Sequence, residues 1–369
     1  MDVRAAVSHG TKAPLTIERL TLKEPGPGEV LIEAKAAGLC HSDLFVMDGG
    51  VPMLRPLIPG HEGAGIVIQC GPGVKSLKVG DRVVTCAIGE CGECAQCAGR
   101  RTNLCEKVGL AAMGVGFAPS PHFTLNDGPV SVLAPGATFA SHTIVDESFA
   151  TKIPDEIPFD VACLFGCAVP TGVGSVLYTA EVEPGSTVVV FGLGGVGLNV
   201  VDGARLAKAS KIIGVDANPA KEAIARKFGL TDFIDARKTD DVTAAIKDLT
   251  GGAGADYAFE CVGNIELGPK ALDATRMEWG TLVQIGACPP GRDKLPITVS
   301  SVLSGRSVMG SFFGKAKPRT DIAKLLDWHA KGQLRSDLLV SHRLPLERIN
   351  DGFKMMERGE SIRAVITFD

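Results

Sequence analysis

The chain has 369 residues, of which 45% are apolar and 22% charged, and its formal net charge at pH 7 is −4. This composition is ordinary for a globular protein with two or three domains, and the absence of a basic block disfavours a nucleic-acid partner. No uninterrupted apolar stretch reaches the ~18 residues of a membrane-spanning helix, and the first residues do not resemble a secretory signal. We therefore expect a cytoplasmic protein with no membrane or nucleic-acid partner.

The N-terminal part, from Val3 to about Thr151, contains many short strand patterns and few helical ones. Turns rich in Gly and Pro, such as Glu24–Gly28 and Gly71–Gly73, separate these patterns. Short apolar runs between such turns are typical of β-strands. The sequence therefore predicts a β-rich domain here.

Within this part, four cysteines follow the spacing C-x2-C-x2-C-x7-C: Cys91, Cys94, Cys97 and Cys105. Structural zinc sites fill all four tetrahedral positions with such side chains, and two-residue gaps let a loop turn so that sulfurs converge. Disulfides are a weaker interpretation, because no secretory signal is evident and the 11 cysteines are an odd number. An iron–sulfur cluster is also weaker, because no Pro follows the last cysteine and no second cluster motif appears. The spacing predicts a structural zinc in a lobe at residues 86–106.

A second set of zinc-type side chains is scattered along the chain as Cys40, His61 and Cys167. Two cysteines and one histidine form one of the ligand sets of catalytic zinc, which keeps a fourth position open. Spacing alone does not establish this site, because a lone cysteine is more often a small buried apolar residue.

From about Pro184 to Phe313, short β-branched runs alternate with helical patterns, which predicts βαβ units and a parallel sheet. The predicted strands are Thr187–Phe191, Lys211–Asp216, Phe233–Ile234, Ala255–Cys261 and Gly280–Ile285, and the predicted helices are Val196–Lys208, Ala220–Phe228 and Thr239–Thr250.

The C-terminal tail has two more helical patterns, Asp321–Lys331 and Leu346–Arg358, before a final apolar run, Ala364–Phe368. A strand needs sheet partners for its backbone groups. We expect this last strand to rejoin the N-terminal part, which makes the βαβ domain an insertion.

The inserted domain carries a G-x-G-x-x-G pattern formed by Gly192, Gly194, Gly195 and Gly197. The pattern follows a predicted strand, opens a predicted helix and has Asp216 at the end of the next strand. These are the features of a dinucleotide-binding turn, with the pyrophosphate at the helix N-terminus and the carboxylate at the adenosine ribose. Because the charge of Asp216 would repel a 2′-phosphate, the sequence predicts NAD rather than NADP.

Together these residues resemble the zinc-dependent alcohol dehydrogenases of the medium-chain dehydrogenase/reductase superfamily along essentially the whole chain. The stretches that carry the resemblance are GLCHSD, GHEGAG, the cysteine lobe, CAVPTG, FGLGGVG, VDANPAK, FECVGN and SIRAVITF. The resemblance is strongest to the longer branch that includes liver-type, glutathione-dependent formaldehyde and benzyl-alcohol dehydrogenases.

The resemblance implies an α/β architecture with a GroES-like catalytic domain at residues 1–169 and 312–369 and a Rossmann domain at residues 170–311. It implies two Zn²⁺ per subunit and NAD as cofactors, and hydride transfer between a small-molecule alcohol or aldehyde and the nicotinamide ring. It also implies a homodimer, joined through the sheet edge at Val299–Ser311.

Single residues acquire roles from the resemblance. The catalytic zinc ligands are matched by Cys40, His61 and Cys167. Ser42 matches the hydroxyl that takes the substrate proton, Asp43 a carboxylate that orients the zinc-bound imidazole, and Glu62 a carboxylate behind the metal. The positions that match cofactor contacts are His41 and Arg363 at the pyrophosphate, Thr171 and Val196 at the nicotinamide, and Asp216 and Lys221 at the adenosine ribose.

Two departures from the family bear on the substrate. Phe45 stands where liver-type members have a histidine that ends the proton path, so that path ends at ribose and water or uses His41. Ala87 stands where many relatives have a bulky aromatic residue beside the zinc. Both departures favour a bulky, aromatic or allylic primary alcohol.

Several alternatives compete with this reading. S-(Hydroxymethyl)glutathione is less favoured, because Val51–Leu54 lacks the acidic residues and Gly109 replaces the arginine of the glutathione-dependent relatives. Polyol dehydrogenases usually replace the third cysteine ligand, and zinc-free quinone reductases lack the cysteine lobe. A protein of another class, an inactive zinc-stabilised nucleotide-binding or redox-sensing protein, would usually have lost a ligand or Ser42, and this chain retains them all.

Overall fold

The computed structural model describes residues 1–99, 102–107, 120–288, 291–292 and 294–369. The chain divides into two compact units. The first consists of Met1–Cys167 and Ala316–Asp369, and the second of Ala168–Lys315. The predicted class, a β-rich domain and a parallel-sheet α/β domain, is confirmed.

The strands, in chain order, are β1 Asp2–Val7, β2 Thr16–Leu22, β3 Glu29–Gly38, β4 Leu57–Ile58, β5 Glu62–Cys70, β6 Arg82–Thr85, β7 Phe123–Leu125, β8 Gly128–Pro129, β9 Ser131–Val132, β10 His142–Asp146, β11 Ala150–Lys152, β12 Thr187–Phe191, β13 Lys211–Asp216, β14 Asp232–Asp235, β15 Tyr257–Glu260, β16 Thr281–Gln284, β17 Ser307–Gly310, β18 Val340–Pro345 and β19 Arg363–Thr367.

The α-helices are α1 His41–Met47, α2 Ala95–Ala98, α3 Phe159–Ala162, α4 Ala168–Gly174, α5 Gly195–Leu206, α6 Glu222–Phe228, α7 Val242–Leu249, α8 Leu267–Asp273, α9 Val299–Leu303, α10 Thr320–Ala330 and α11 Ile349–Glu357. A π-helical turn at Ser175–Thr179 continues α4, and 3₁₀ turns lie at Thr102–Leu104, Glu147–Phe149, Cys163–Gly166, Pro219–Lys221, Phe313–Lys315, Ser336–Leu339 and Leu346–Arg348.

The first unit is built around a sheet with the order β11-β6-β5-β3-β19-β18, in which β10 also pairs with β3. The last strand pairs antiparallel with β3, with Val365 opposite Gly38. The C-terminal tail therefore rejoins the N-terminal part of the chain, as the sequence predicts. A core of Leu39, Phe139 and Phe353 packs beside this sheet.

Antiparallel pairing between β3 and β5 sets the positions of two predicted metal ligands. Gly38, the last residue of β3, lies opposite Glu62, the first residue of β5. Because these strand ends meet, Cys40 follows one strand and His61 precedes the other at the same edge of the sheet.

The second unit contains a six-stranded parallel sheet with the order β14-β13-β12-β15-β16-β17. The direction of winding reverses between β12 and β15, and ligands of such sheets bind beyond the carboxyl ends of the strands at that point. Buried side chains of β12, β13 and β15, including Phe191, Ile213 and Ala258, form the core beside the sheet.

The five strands predicted for this unit all form, with their ends shifted by no more than two residues. β17 was not predicted as a strand. The predicted helix at 220–228 is divided, because the 3₁₀ turn Pro219–Lys221 precedes α6. Gly229 ends α6 with φ 114°, a left-handed conformation that glycine adopts without strain.

Among the described residues, no single helix has the length and apolar character of a membrane span. One pair of helical segments, 159–166 and 168–179, meets these two criteria when taken together, although it is bent between the segments.

Candidate metal centres and nucleotide site

The four-cysteine lobe has the dimensions of a zinc site. The Sγ atoms of Cys91 and Cys97 lie 3.8 Å apart, and those of Cys94 and Cys105 lie 3.9 Å apart. A tetrahedron with Zn–S bonds of about 2.3 Å places its sulfur atoms about 3.8 Å from one another. All 11 cysteines are free thiols, so disulfides do not account for the cluster. The residues present fit a structural zinc.

Backbone amides in the lobe favour the thiolate form of Cys94. The N–H of Cys94 points at the sulfur of Cys91 (3.4 Å), and the N–H of Cys97 points at the sulfur of Cys94 (3.5 Å). The amides of Glu106 and Cys97 lower the pKa of Cys94 to about 6. Burial, in contrast, raises the pKa of Cys97 to about 12. Because the thiolate is the metal-binding form of cysteine, a metal ion in the lobe would displace that proton.

The second set of predicted zinc ligands, which lie far apart in the sequence, also comes together in the structure. One ligand atom from each of Cys40, His61, Glu62 and Cys167 lies within 4.8 Å of every other. Cys40 and His61 are buried, and Cys167 is half-buried. Two thiols and an imidazole are a donor set of zinc, so the chemistry of the site fits a second zinc ion.

Cys167 reaches this set from a 3₁₀ turn that lies against β6. A Cβ atom on Gly166 would lie 2.4 Å from the carbonyl oxygen of Thr85, so only glycine permits this approach. The amide of Ala87 donates to the carbonyl of Gly166 at 3.4 Å. The structure thus places Ala87 beside the residue that precedes Cys167.

Asp43 fixes the orientation of His61. Its Oδ1 lies 2.8 Å from Nδ1 of His61 and accepts the N–H of Gly60 at 3.1 Å, while its Oδ2 accepts the N–H of Cys40 at 3.1 Å. The carboxylate is 0% exposed. With Nδ1 held by Asp43, Nε2 of the imidazole is the nitrogen left for a metal.

Gly60 allows this arrangement through its backbone. Its φ is +97°, and a Cβ atom would lie 2.6 Å from Oγ1 of Thr138 and 2.7 Å from the amide nitrogen of Phe139. A larger residue would therefore displace the N–H group that Asp43 accepts.

The ionisation of the two cysteines is coupled. Hydrogen bonding to Cys167 and the nearby charges lower the pKa of Cys40 well below its usual range. The same contact raises the pKa of Cys167 well above its usual range. Because metal ligation requires thiolates, a metal cation that binds here would displace the protons of these sulfurs.

Burial opposes the charged form of His61, but the charge and hydrogen bond of Asp43 raise its pKa well above the usual range. Burial also raises the pKa of Glu62 to about 8, against the opposing charge of Arg363. Both groups therefore lie in a strongly polar, water-poor environment, which is typical of functional sites.

Arg363 and Glu62 form a buried pair beside the candidate metal ligands. Nη2 of Arg363 lies 3.4 Å from Oε1 of Glu62, and Nη1 donates to the carbonyl of Leu39 at 2.7 Å. The predicted role of Arg363 at the cofactor pyrophosphate stays a prediction. In the first unit its guanidinium contacts Glu62 and Leu39 and hydrogen-bonds Cys40.

The remaining predicted residues of α1 lie at the rim of the site. His41 and Ser42 are exposed, and Oγ of Ser42 lies 3.7 Å from Sγ of Cys40. Phe45 is half-buried, and its ring fills the space that a side chain on Gly50 would need. The roles of these residues toward substrate and cofactor stay predictions.

The glycine-rich turn of the second unit has the backbone that phosphate binding requires. Gly192 has φ +89°, and a Cβ on Gly197 would lie 1.8 Å from the carbonyl oxygen of Gly192. The space beside Gly194 is open, with no atom of the described residues within 4 Å of where its Cβ would be. α5 begins at Gly195 and presents its N-terminal amides here.

Asp216 ends β13 beside this turn. Its Oδ2 accepts the N–H of Leu193 at 2.7 Å and lies 3.0 Å from Nζ of Lys221, and its Oδ1 accepts the N–H of Asn218 at 2.8 Å. The carboxylate is thereby fixed next to the glycine-rich turn. The resemblance assigns both Asp216 and Lys221 to the adenosine ribose, and in the structure their side chains are in contact.

Thr171 on α4 and Val196 on α5 are brought near each other because glycine allows the two helices to approach closely. A Cβ on Gly172 would lie 2.6 Å from the carbonyl oxygen of Val196. The carbonyl of Thr171 accepts the hydroxyl of Ser175 at 2.6 Å, which secures the helix at its π-helical end.

Sequence reasoning assigned no role to Gly38 or Gly60, although both lie in the motifs that carry the resemblance. Only the structure reveals that a side chain at Gly38 would collide with Glu62 and that one at Gly60 would collide with Thr138 and Phe139.

Comparison with known proteins decides the family. The model of the family "Alcohol dehydrogenase GroES-like domain" matches residues 26–155, and that of the family "Zinc-binding dehydrogenase" matches residues 195–331. The chain belongs to the zinc-dependent alcohol dehydrogenases of the medium-chain dehydrogenase/reductase superfamily. The predicted family and its zinc chemistry are thereby confirmed.

This alcohol dehydrogenase is similar over its whole length to two bacterial relatives. One, from Cereibacter sphaeroides, is named alcohol dehydrogenase class-3 and is 42% identical, with 100% of each chain covered. Another, from Paracoccus denitrificans, is named S-(hydroxymethyl)glutathione dehydrogenase and is 41% identical, again with 100% of each chain covered. A crystal structure of an alcohol dehydrogenase zinc-binding domain protein from Burkholderia ambifaria superposes with a TM-score of 0.92 at 35% identity, covering 100% of this chain and 99% of that one.

These relatives correct the substrate prediction. The predicted aromatic or allylic alcohol, inferred from Phe45 and Ala87, is wrong, because the two relatives at 42% and 41% identity over the full length carry the names of the alternative class. The physical reason is that two side chains near a metal limit the size of a pocket but do not specify what fills it. The loop that includes Gly109, on which the glutathione alternative was judged, lies outside the described residues.

We expect Asp43→Asn to weaken zinc binding at the Cys40–His61–Cys167 set by about 10- to 100-fold, as loss of a partner of a metal-bound histidine commonly does. The side chain of Asn has one accepting oxygen and one donating nitrogen, so it cannot accept the hydrogen bond from Cys40 and the one from His61 on its two terminal atoms, as Asp43 does. Competition with a chromogenic chelator, followed by metal analysis, measures the change. Zinc in the cysteine lobe is the internal control. Equal retention of both ions in the variant would contradict the orienting role of Asp43.

Proposed function

We propose that this chain is an NAD-dependent S-(hydroxymethyl)glutathione dehydrogenase. The oxidised group is the hydroxymethyl carbon on the glutathione sulfur: the hydroxyl loses a proton, the carbon transfers a hydride to NAD⁺, and S-formylglutathione and NADH form. The observation that carries the proposal is the 41% identity, over the whole of both chains, to the Paracoccus denitrificans protein of that name.

The metal centre supports the proposal. A zinc ion held by Cys40, His61 and Cys167 would supply Lewis-acid chemistry at a substrate oxygen. Asp43 keeps the imidazole in the tautomer that leaves Nε2 available.

Ser42 lies next to the ligands and at the surface of its unit. We assign it the acceptance of the substrate proton. Phe45, one helical turn further along α1, carries no proton-accepting group, so the proton leaves from Ser42 to water or to the cofactor ribose. The exposure of Ser42 supports such an exit.

The nucleotide site supports NAD as the oxidant. NAD⁺ bound there would supply the hydride acceptor, and the fixed carboxylate of Asp216 would accept a hydrogen bond from the adenosine ribose. The amides at the start of α5 and the open space at Gly194 suit a pyrophosphate.

Adding glutathione to an assay with formaldehyde and NAD⁺ tests the substrate. We expect kcat/KM for the glutathione adduct to exceed that for ethanol by at least about tenfold, equivalent to ~1.4 kcal/mol of transition-state stabilisation. The adduct of formaldehyde with 2-mercaptoethanol carries the same reacting group without the rest of the tripeptide, so it is the matched control for recognition of glutathione. This control matters because Val51–Leu54 has no carboxylate for the glutathione amine. Faster NADH formation with ethanol than with the glutathione adduct would contradict the proposal.

Cofactor choice is tested by Asp216→Gly. Loss of the carboxylate removes repulsion of a 2′-phosphate, so we expect the ratio of kcat/KM for NAD to that for NADP to fall by at least about tenfold. Asp235→Asn, which changes a carboxylate at the end of the neighbouring strand β14, is the control and should leave the ratio unchanged. A wild-type enzyme that uses both cofactors equally would refute the role given to Asp216.

We further propose that the protein is a homodimer joined through β17. All four residues of this edge strand are exposed, and they include Val308 and Met309. Val299 and Leu303 on α9, the helix that precedes β17 in the chain, are 70% and 79% exposed. An edge strand flanked by exposed apolar side chains favours pairing with a second copy.

Val308→Asp should convert the dimer to a monomer, because a carboxylate would be buried without a partner in the joined sheet. Size-exclusion chromatography with light scattering measures the mass. Val79→Asp places the same charge at an exposed valine of the first unit and should leave the dimer intact. A monomeric wild-type protein would rule out the proposed interface.

A further inference from the structure

We propose that Gly38 is a positioning residue of the metal centre: its missing side chain leaves the space in which the Glu62 carboxylate crosses the central strand and meets Arg363. The inference rests on the proposed role of Cys40, His61 and Cys167 as ligands of a catalytic zinc. It concerns a residue that touches neither the substrate nor the metal.

The register of three strands places Gly38 between the two charged groups. Gly38 on β3 lies opposite Glu62 on β5 and, on its other side, opposite Val365 on β19. Arg363 begins β19. Residues that lie directly opposite on antiparallel strands project from the same face of a sheet. A side chain at Gly38 would therefore occupy the face over which Glu62 extends.

The distances show that this space is filled by Glu62. A Cβ atom on Gly38 would lie 2.4 Å from Oε2 of Glu62 and 3.3 Å from its Cβ. The other oxygen, Oε1, lies 3.4 Å from Nη2 of Arg363. The carboxylate on β5 thus reaches a guanidinium two strands away because the strand between them carries no side chain at this point.

Little else holds the Glu62 carboxylate in position. Glu62 is 0% exposed, and neither of its oxygens has a hydrogen-bond partner among the described residues. Its place is set by the charge of Arg363 and by the shape of the space around it. Leu164 closes that space, with Cδ2 at 3.1 Å from the position of a Gly38 Cβ.

An added methyl group at Gly38 would therefore displace Glu62 rather than the backbone. A displaced carboxylate separates from Arg363 and moves relative to Cys40, His61 and Cys167, with which it shares a cluster. Groups that surround metal ligands control how tightly the metal is held. The position of Glu62, and hence of Gly38, should control the retention of the zinc ion.

The test is the rate at which the purified holoenzyme releases zinc to a chromogenic chelator. We expect Gly38→Ala to change the release rate of the catalytic zinc by about tenfold or more, while zinc in the cysteine lobe leaves at the wild-type rate. The absorption spectrum of the cobalt-substituted enzyme should shift in the same variant. Gly268→Ala is the control, because its Cβ would meet a side-chain tip, Cδ1 of Leu295, at a similar 2.3 Å in the second unit.

A double-mutant cycle separates positioning from general damage to the fold. Glu62→Ala removes the group with which the new methyl collides, so Gly38→Ala should have no further effect on zinc release in that background. This comparison also serves if the single variant Gly38→Ala does not fold. If Gly38→Ala changes zinc release equally with and without the Glu62 side chain, the effect comes from the collision with Leu164 and not with Glu62. That result would overturn the proposal.

The outcome is distinguishable from failure of the proposed function. A wild-type protein that releases zinc from the lobe alone would refute the catalytic zinc itself. A wild-type protein that releases two zinc ions, with release unaltered in Gly38→Ala, would refute only the role of Gly38.

Discussion

The antiparallel register of β3 and β5 is the constraint on which the metal centre depends. With Gly38 opposite Glu62, the chain leaves one strand at Cys40 and enters the other at His61, so that two residues distant in sequence become neighbours. A shift of this register by one residue would turn each side chain to the opposite face of the sheet. Hydrogen bonds from Cys40 and Gly60 to Asp43 then join the two strand ends.

The same region carries several buried charges, and these are paired within it. Asp43 is fully buried and bound to His61, while Glu62 faces Arg363. Buried charges are costly unless they have partners or coordinate a metal. These paired groups surround the candidate ligands, and the comparison with known proteins identifies the family as one that binds zinc.

Local patterns in the sequence predicted much of this structure. The cysteine lobe was predictable because its ligands lie within one short loop, and the parallel sheet because its β-branched runs alternate with amphipathic ones. The ligands Cys40, His61 and Cys167 could be proposed from residue type and resemblance, but only the structure brings them together: strand register joins Cys40 to His61, and the close contact of Gly166 with Thr85 places Cys167 beside them. The role of Gly38 had no sequence signal, because it depends on the direction taken by a side chain on another strand. The substrate was predicted wrongly, because it was inferred from Phe45 and Ala87 alone, and two residues do not determine which substrate a site binds.

The central claim is that an open zinc site lies at Cys40, His61 and Cys167, separate from the four-cysteine lobe. Anomalous diffraction from crystals of the purified enzyme, recorded on both sides of the zinc absorption edge, tests it most directly. We expect two peaks per subunit, with one bonded to the sulfurs of Cys40 and Cys167 and to Nε2 of His61. A single peak, confined to the cysteine lobe, would contradict the account.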